Sequence, residues 1–240
     1  MKLQRIGILL AVGIFGACHI LIAETPPHGC TVLTFSHGGE VFFGGNDDYD
    51  SRDKAYWVDP GVDAGYGAIY FGDPQNVQQG FNEAGLAYDA NGLPASPVLY
   101  HGGILPGPKE YGSYPIAILK ACANVDEVIE WAKTHRWHSS MHDQLHFADA
   151  SGNAVVISVG ADGRLVFSRK PAGDSFLVSA NFNVANPQNG SFPSWRYDLA
   201  TKRATELIGS KDVSREQIAS IMEAAHVETR RNFTVYTVVA

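Results

Sequence analysis

The dipeptide Gly29-Cys30 stands where an apolar leader gives way to the first strand signal of the chain. No other feature constrains the rest as strongly. A cut at that bond makes Cys30 an N-terminal residue, whose thiol is a nucleophile and whose own α-amine is a base for it. One residue then supplies two catalytic parts, placed at the start of a strand.

The leader supports such a cut. Met1 to Arg5 carries Lys2 and Arg5 ahead of the uncharged apolar run Ile6 to Ala17, a signal-peptide pattern too short to span a membrane as a helix. Its exit reads in more than one way. Leu21-Ile22-Ala23 ends in a small residue, giving 1–23 as signal peptide and 24–29 as a short propeptide; Phe15-Gly16-Ala17-Cys18 faintly resembles a lipoprotein box, giving a lipid anchor at Cys18. A plain buried N-terminal segment is the third alternative. Cleavage before Cys30 brings both export routes to the same product, secreted or periplasmic and without stable membrane insertion.

Residues 30–240 suffice for one domain with a sizeable core. The formal charge of −7 and the lack of a basic stripe speak against a nucleic-acid partner. Past the leader only Cys30 and Cys122 remain, and Cys122 lies in the apolar helical stretch Tyr114 to Ala123. A disulfide framework is therefore not expected, despite the oxidising compartment. The chain stops at Ala240 on an apolar strand with no turn or polar tail, which implies a further C-terminal piece with a pairing strand. The oligomeric state stays open, a homo-oligomer being compatible with the sequence.

Strand and helix signals alternate in blocks. Cys30 to Phe35 and Val41 to Phe43 flank the turn 36–40, and two further hairpins run from Leu145 through Val155-Val156-Ile157 to Arg164–Phe167. Helical periodicity covers Pro115 to Cys122, Val125 to His135 behind Asn124-x-x-Glu127, Ser194 to Leu207, and Arg215 to Ala225 behind Ser214-x-x-Gln217. A last strand spans Phe233 to Val239, and 92–113 reads as one long Gly/Pro-rich loop. The pattern predicts an α+β fold in layers.

Four places carry candidate chemistry. Gly44-Gly45-Asn46-Asp47-Asp48 returns the chain at a strand end, where Asp48 could hold the α-ammonium or the thiol hydrogen; an Asx turn is the plain alternative. Asn91 closes the strand that follows the turn at Asn82, and its amide is a candidate oxyanion donor, although Asn91-Gly92 is also a turn signal. Asn181 ends the apolar strand from Phe176 and offers a second amide. Arg196 sits in the first turn of a helix, where a surface or capping role is the ordinary one.

In order and spacing, Gly29-Cys30-Thr31, Gly44 to Asp48, Asn82 to Leu86 with Asn91, Ala148 to Gly152, Ser179 to Phe182 and Trp195-Arg196-Tyr197 resemble the N-terminal-nucleophile amidohydrolases of linear C–N bonds. That family includes choloylglycine (bile salt) hydrolases, penicillin V acylases, acid ceramidase and the fungal acyl-coenzyme A:6-aminopenicillanate acyltransferase; the acyltransferase-like bacterial branch is the most similar. The resemblance spans 30–240. It implies a four-layer αββα sandwich, Cys30 as the nucleophile freed by self-cleavage, Asp48 fixing its amine, Asn91 and Asn181 lining the oxyanion hole, and Arg196 polarising the site from a distance. It also exposes two departures. Many relatives carry arginine at the position of Gly45, so a thiolate-stabilising charge is missing unless Arg52 or Arg196 takes it over, and the family's usual threonine before the Asn181 motif is Ala180.

The chemistry implied is acyl transfer from a small acylated amine through a thioester, resolved by water or by another amine, with no metal or organic cofactor. Attack of the thiol on the Gly29 carbonyl would account for activation. Trp57, Tyr66, Tyr70 and Phe71 read as an apolar acyl pocket or, more plainly, as core. A rival of another class, an exported metal-binding protein, rests on His135, His138, His142 and His146 at spacings of 3, 4 and 4. Ser139-Ser140 breaks the helix that those spacings need.

Overall fold

The computed structural model describes residues 29–51, 53–61, 65–73, 76–99, 103, 105–190, 192–229 and 233–240. The leader, Cys18 and Arg52 lie outside them. In chain order the strands are β1 Cys30–His37, β2 Glu40–Tyr49, β3 Ala55–Asp59, β4 Ala68–Asp73, β5 Asn76–Asn82 and β6 Ala87–Pro97. Helices α1 Tyr114–Ala121 and α2 Val125–Thr134 follow, then β7 Ser140–Ala148, β8 Ala154–Val159, β9 Leu165–Arg169, β10 Phe176–Ala180, β11 Phe182–Asn183 and β12 Asn186–Gly190. Helices α3 Trp195–Leu207 and α4 Arg215–Ala224 precede the last strand, β13 Phe233–Val239.

Two large antiparallel sheets result, beside the small pair β11-β12. Strands β10-β1-β2-β13 form one, and β3 to β9 form the other as a meander in chain order. Strand β1 thus lies inside its sheet, paired on both sides, with the first turn at Gly38-Gly39. The helices form where their caps sit: the Asn124 side chain accepts the Glu127 N–H at the start of α2, and Ser214 and Gln217 cap each other reciprocally at α4.

Period-2 alternation sorts each strand's residues between two faces. The outer face of the seven-stranded sheet buries Tyr70, Tyr88 and Phe147 against Ile118 of α1 and Val128 of α2. That of the four-stranded sheet buries Leu33 and Phe35 against Ala200, Ala204, Ile218 and Met222 of α3 and α4. Each such aromatic or branched side chain contributes about 1.5–3 kcal/mol by leaving water. Between the sheets the apolar layer is thin, with Val32, Phe43, Ala87, Ala148 and Ala154. The small residues let the sheets approach and leave room for polar groups. The layers run helix, sheet, sheet, helix: the αββα sandwich.

Two segments differ from their sequence reading. Gly44 to Asp48 lies within β2, with no turn, because β1 and β13 pair with it on both sides and keep it extended. Asn91 stands inside β6 opposite Gln144 of β7, and the strand continues to Pro97, so the long loop starts later.

Candidate active site

The register of β1 on β2 sets Cys30 opposite Asp47, Thr31 opposite Asn46 and Val32 opposite Gly45. Directly opposed residues share a face. Cys30 and Asp47 therefore point between the sheets, and the thiol donates to Asp47 Oδ1 at 3.6 Å. Asn46 and Asp48 point to the helix layer: Asn46 Nδ2 donates to the Met222 carbonyl at 2.8 Å, and Asp48 takes an ion pair from Arg196 of α3 and a hydrogen bond from the Thr234 hydroxyl. The carboxylate against the sulfur is Asp47. Asp48 reaches the site through Arg196.

Asn181, just past β10, accepts the Cys30 N–H at 2.7 Å and Arg196 Nη2 at 2.8 Å on its Oδ1, while its Nδ2 donates to the Gly92 carbonyl at 2.9 Å. Arg196 is 7% exposed, a buried group rather than a surface or capping one. Gly29 lies against its guanidinium: a Cβ there would stand 2.0 Å from Nη1 and 2.6 Å from Cζ. Any side chain before the nucleophile would have to displace that guanidinium.

Asn91 is fully buried. Its Oδ1 accepts from Gln144 Nε2 at 3.2 Å, and its Nδ2 has no hydrogen-bond partner among the described residues. Gln144 also donates to the Ala180 carbonyl at 2.7 Å and accepts the Val184 N–H at 3.1 Å, which fixes its own orientation and through it that of Asn91. Gln78 Nε2 donates to the Cys30 sulfur at 3.4 Å and to the Ala90 carbonyl at 2.7 Å.

The missing charge at Gly45 has a structural counterpart. A Cβ there would meet Asp89 Oδ2 at 1.9 Å and Gln79 Nε2 at 2.6 Å, so the room a longer side chain needs is filled by Asp89. Arg196 is held by Asp48 and Asn181. The donors on the sulfur are uncharged, the Gln78 amide and the Asp48 backbone. Asp47, Gln78, Asp89 and Gln144 were not singled out in the sequence. Strand alternation from Cys30 would have pointed to Asp47, whereas nothing local marks the two glutamines.

Burial, then the nearby Asp47, Asp89 and Asp48 charges, push the Cys30 thiol well above its ordinary range, against a hydrogen bond with the Asp48 backbone. Asp89 is likewise pushed well up, by burial first and then by Asp47, with the Ala90 and Gln78 hydrogen bonds opposing. Burial raises Asp48 to about 6, while Thr234 and then Arg196 pull the other way.

Behind Cys30, His146 Nε2 meets Thr34 Oγ1 at 2.9 Å and Nδ1 meets Ser179 Oγ at 2.8 Å. The ring ties the two sheets together. His135 caps the C-terminus of α2 and stacks on Trp131, and His142 lies with His146 on β7. The histidines do not converge, and no group of three or more metal-binding side chains assembles among the described residues.

A cleft of about 170 Å³ reaches Cys30 between Tyr49, Asn76, Leu93, His142 and Asp143. The aromatics ahead of Asn82 line other places. Tyr70 is in the core under α1, Trp57 packs on that core, Tyr66 bonds through its backbone to Lys120, and Phe71 meets Phe81 and Tyr236.

A strand-opening cysteine, held by an amide from the adjoining strand end and set between two sheets covered by helices, is the arrangement of the N-terminal-nucleophile hydrolase fold. The chain is similar to a mutant conjugated bile acid hydrolase from Clostridium perfringens, with TM-score 0.64, 14% identity, and 88% of this chain covering 85% of that one. A second variant of that enzyme gives TM-score 0.64 at 16% identity over the same shares. Penicillin V acylase from Agrobacterium tumefaciens gives 0.58 at 16%, with 83% of this chain covering 73% of that one. At these identities the likeness establishes the fold. No family model matches the sequence, and no curated protein matches it.

Proposed function

We propose that this protein is an exported amidohydrolase that cuts itself before Cys30 and then cleaves a linear acyl–amine bond through a thioester on that residue. Residues 1–23 act as signal peptide, 24–29 as propeptide and 30–240 as one catalytic domain. The observation that carries the reading is the setting of Cys30: its nitrogen held by Asn181, its sulfur by Gln78 and Asp47, and an unpartnered buried amide donor, Asn91 Nδ2, close by in the fold.

In the mature enzyme the α-amine of Cys30, oriented by Asn181 Oδ1, takes the thiol proton. Sulfur attacks the substrate carbonyl, and Asn91 donates to the oxyanion. Asn181 serves mainly to hold the amine, since its Nδ2 is engaged by Gly92; it reaches an oxyanion only by giving up that bond. Arg196, anchored by Asp48, keeps Asn181 in place and lends positive charge. The leaving amine is protonated, and water resolves the thioester, or a second amine if one enters first. The two solved relatives are named for conjugated bile acids and for penicillin V. The cleft here lies below the usual ligand-pocket range of roughly 300–1,000 Å³, which favours a short acyl group.

Intact mass and N-terminal sequencing of the purified protein beside a Cys30→Ala variant test this reading. The expected result is a wild-type chain beginning at Cys30 and a variant that keeps Gly29. A panel of short N-acyl amino acids, penicillin V and conjugated bile acids then ranks substrates. Identical upstream termini in both chains would mean that the fold is present without self-processing.

A further inference from the structure

Activation poses a problem that the mature mechanism does not solve. Before the cut the nitrogen of Cys30 belongs to a peptide bond, its lone pair is delocalised, and its N–H is spent on Asn181. The α-amine does not yet exist. Some other group has to take the proton from a thiol that burial and its acidic neighbours hold in the neutral form.

We propose that Asp47 is the base for self-cleavage, receiving the Cys30 thiol proton in the precursor and handing it to the departing Cys30 nitrogen. The proposal rests on the self-processing reading above. Geometry selects Asp47 among the groups at hand. Its Oδ1 is the acceptor on the sulfur, at 3.6 Å, whereas Gln78 offers that sulfur a donor. Both oxygens of Asp48 are committed on the opposite face of the sheet, one to Arg196 and one to Thr234. Asp89 Oδ1 accepts the Ala90 N–H at 2.7 Å, and both ring nitrogens of His146 are held by Thr34 and Ser179. The scissile bond is meanwhile fixed from both ends. Gly29 is packed on the Arg196 guanidinium, and the Cys30 N–H is on Asn181.

The step balances. The S–H proton passes to the Asp47 carboxylate as sulfur bonds to the Gly29 carbonyl carbon. The C–N bond then breaks, and the proton moves from Asp47 to nitrogen, leaving a Gly29 thioester on Cys30 and a free α-amine. Water cleaves the thioester, releasing the Gly29 carboxylate and restoring the thiol. From that point the new amine replaces Asp47 as the base. The carboxylate is thus needed chiefly once in the life of each molecule.

The test compares Asp47→Asn in two backgrounds. In the full-length precursor, processing followed by mass spectrometry is expected to slow at least 100-fold. Residues 30–240, which hold every described strand and helix, can be released from a ubiquitin fusion during expression with Cys30 already first. There the same substitution is expected to lower kcat/KM less than tenfold. Processing at the wild-type rate in the variant precursor overturns the proposal, as does an equal loss in both backgrounds. If Asp47→Asn does not fold, Asp47→Glu replaces it: partial recovery of processing supports the role, and no processing from a chain with wild-type circular dichroism refutes it. A wild-type precursor that never processes would instead bring down the self-processing reading, an outcome visible without any variant.

Discussion

Gln144 touches no reacting atom, yet it decides which way Asn91 faces. An asparagine amide can present either its oxygen or its nitrogen, and the Gln144 Nε2 bond to Asn91 Oδ1 leaves the buried Nδ2 group as the end without a partner among the described residues. Gln144→Ala is expected to lower kcat by about 10- to 100-fold, the scale of a misplaced oxyanion donor. KM should change little, while the thermal midpoint falls because the Ala180 carbonyl and the Val184 N–H lose a buried partner; a loss in KM or in stability with kcat unchanged would make Gln144 merely structural. At this scale the sequence was partly legible. Cys30, Asn181 and Arg196 could be named from their motifs, and the structure brings them together, but Gln78 and Gln144 come from strands whose local pattern says nothing about a thiol or an amide. Their roles arise from the register of β6 on β7 and from the approach of the two sheets.

Strand alternation is the element-scale rule that divides the acidic pair. Adjacent residues of β2 face opposite layers, so Asp47 meets the thiol and Asp48 meets α3. A motif read as a string does not show this, because consecutive letters look equivalent until the strand's pairing assigns them faces. Helix boundaries were more legible, since they depend on side chains within one turn. The reciprocal box of Ser214 and Gln217 starts α4, which buries Ile218 and Met222 against Gly44 of β2. Ser214→Ala is expected to cost about 1 kcal/mol, a fall of roughly 2–4 °C in thermal midpoint, with kcat/KM unchanged. A larger loss of activity would mean that α4 positions β2 more directly than its distance from Cys30 implies.

The stability of the whole molecule should carry the mark of His146. Unfolded, its imidazole takes a proton near pH 6.5; folded between Thr34 and Ser179, burial lowers that value to about 3. The unfolded state therefore binds the extra proton throughout this window, and stability falls as pH drops from about 6.5 toward 3. Urea midpoints measured from pH 7 to 4 should decline in wild type and decline less in His146→Gln; parallel curves would mean that another group dominates acid unfolding. No helix among the described residues is long and apolar enough to cross a membrane. What the sequence determined by itself was local: four helices and the caps of two of them, the hairpin that begins at Cys30, the α+β class, and a set of motifs similar to one family. Each depends on periodicity or on contacts a few residues apart. Tertiary structure alone decided that Asp47 rather than Asp48 faces the sulfur, that Asp89 fills the space beside Gly45, and that Gly29 is pinned beneath Arg196. Those facts depend on strand register and on two sheets closing over a thin layer of small and polar residues, distances that no stretch of sequence encodes on its own.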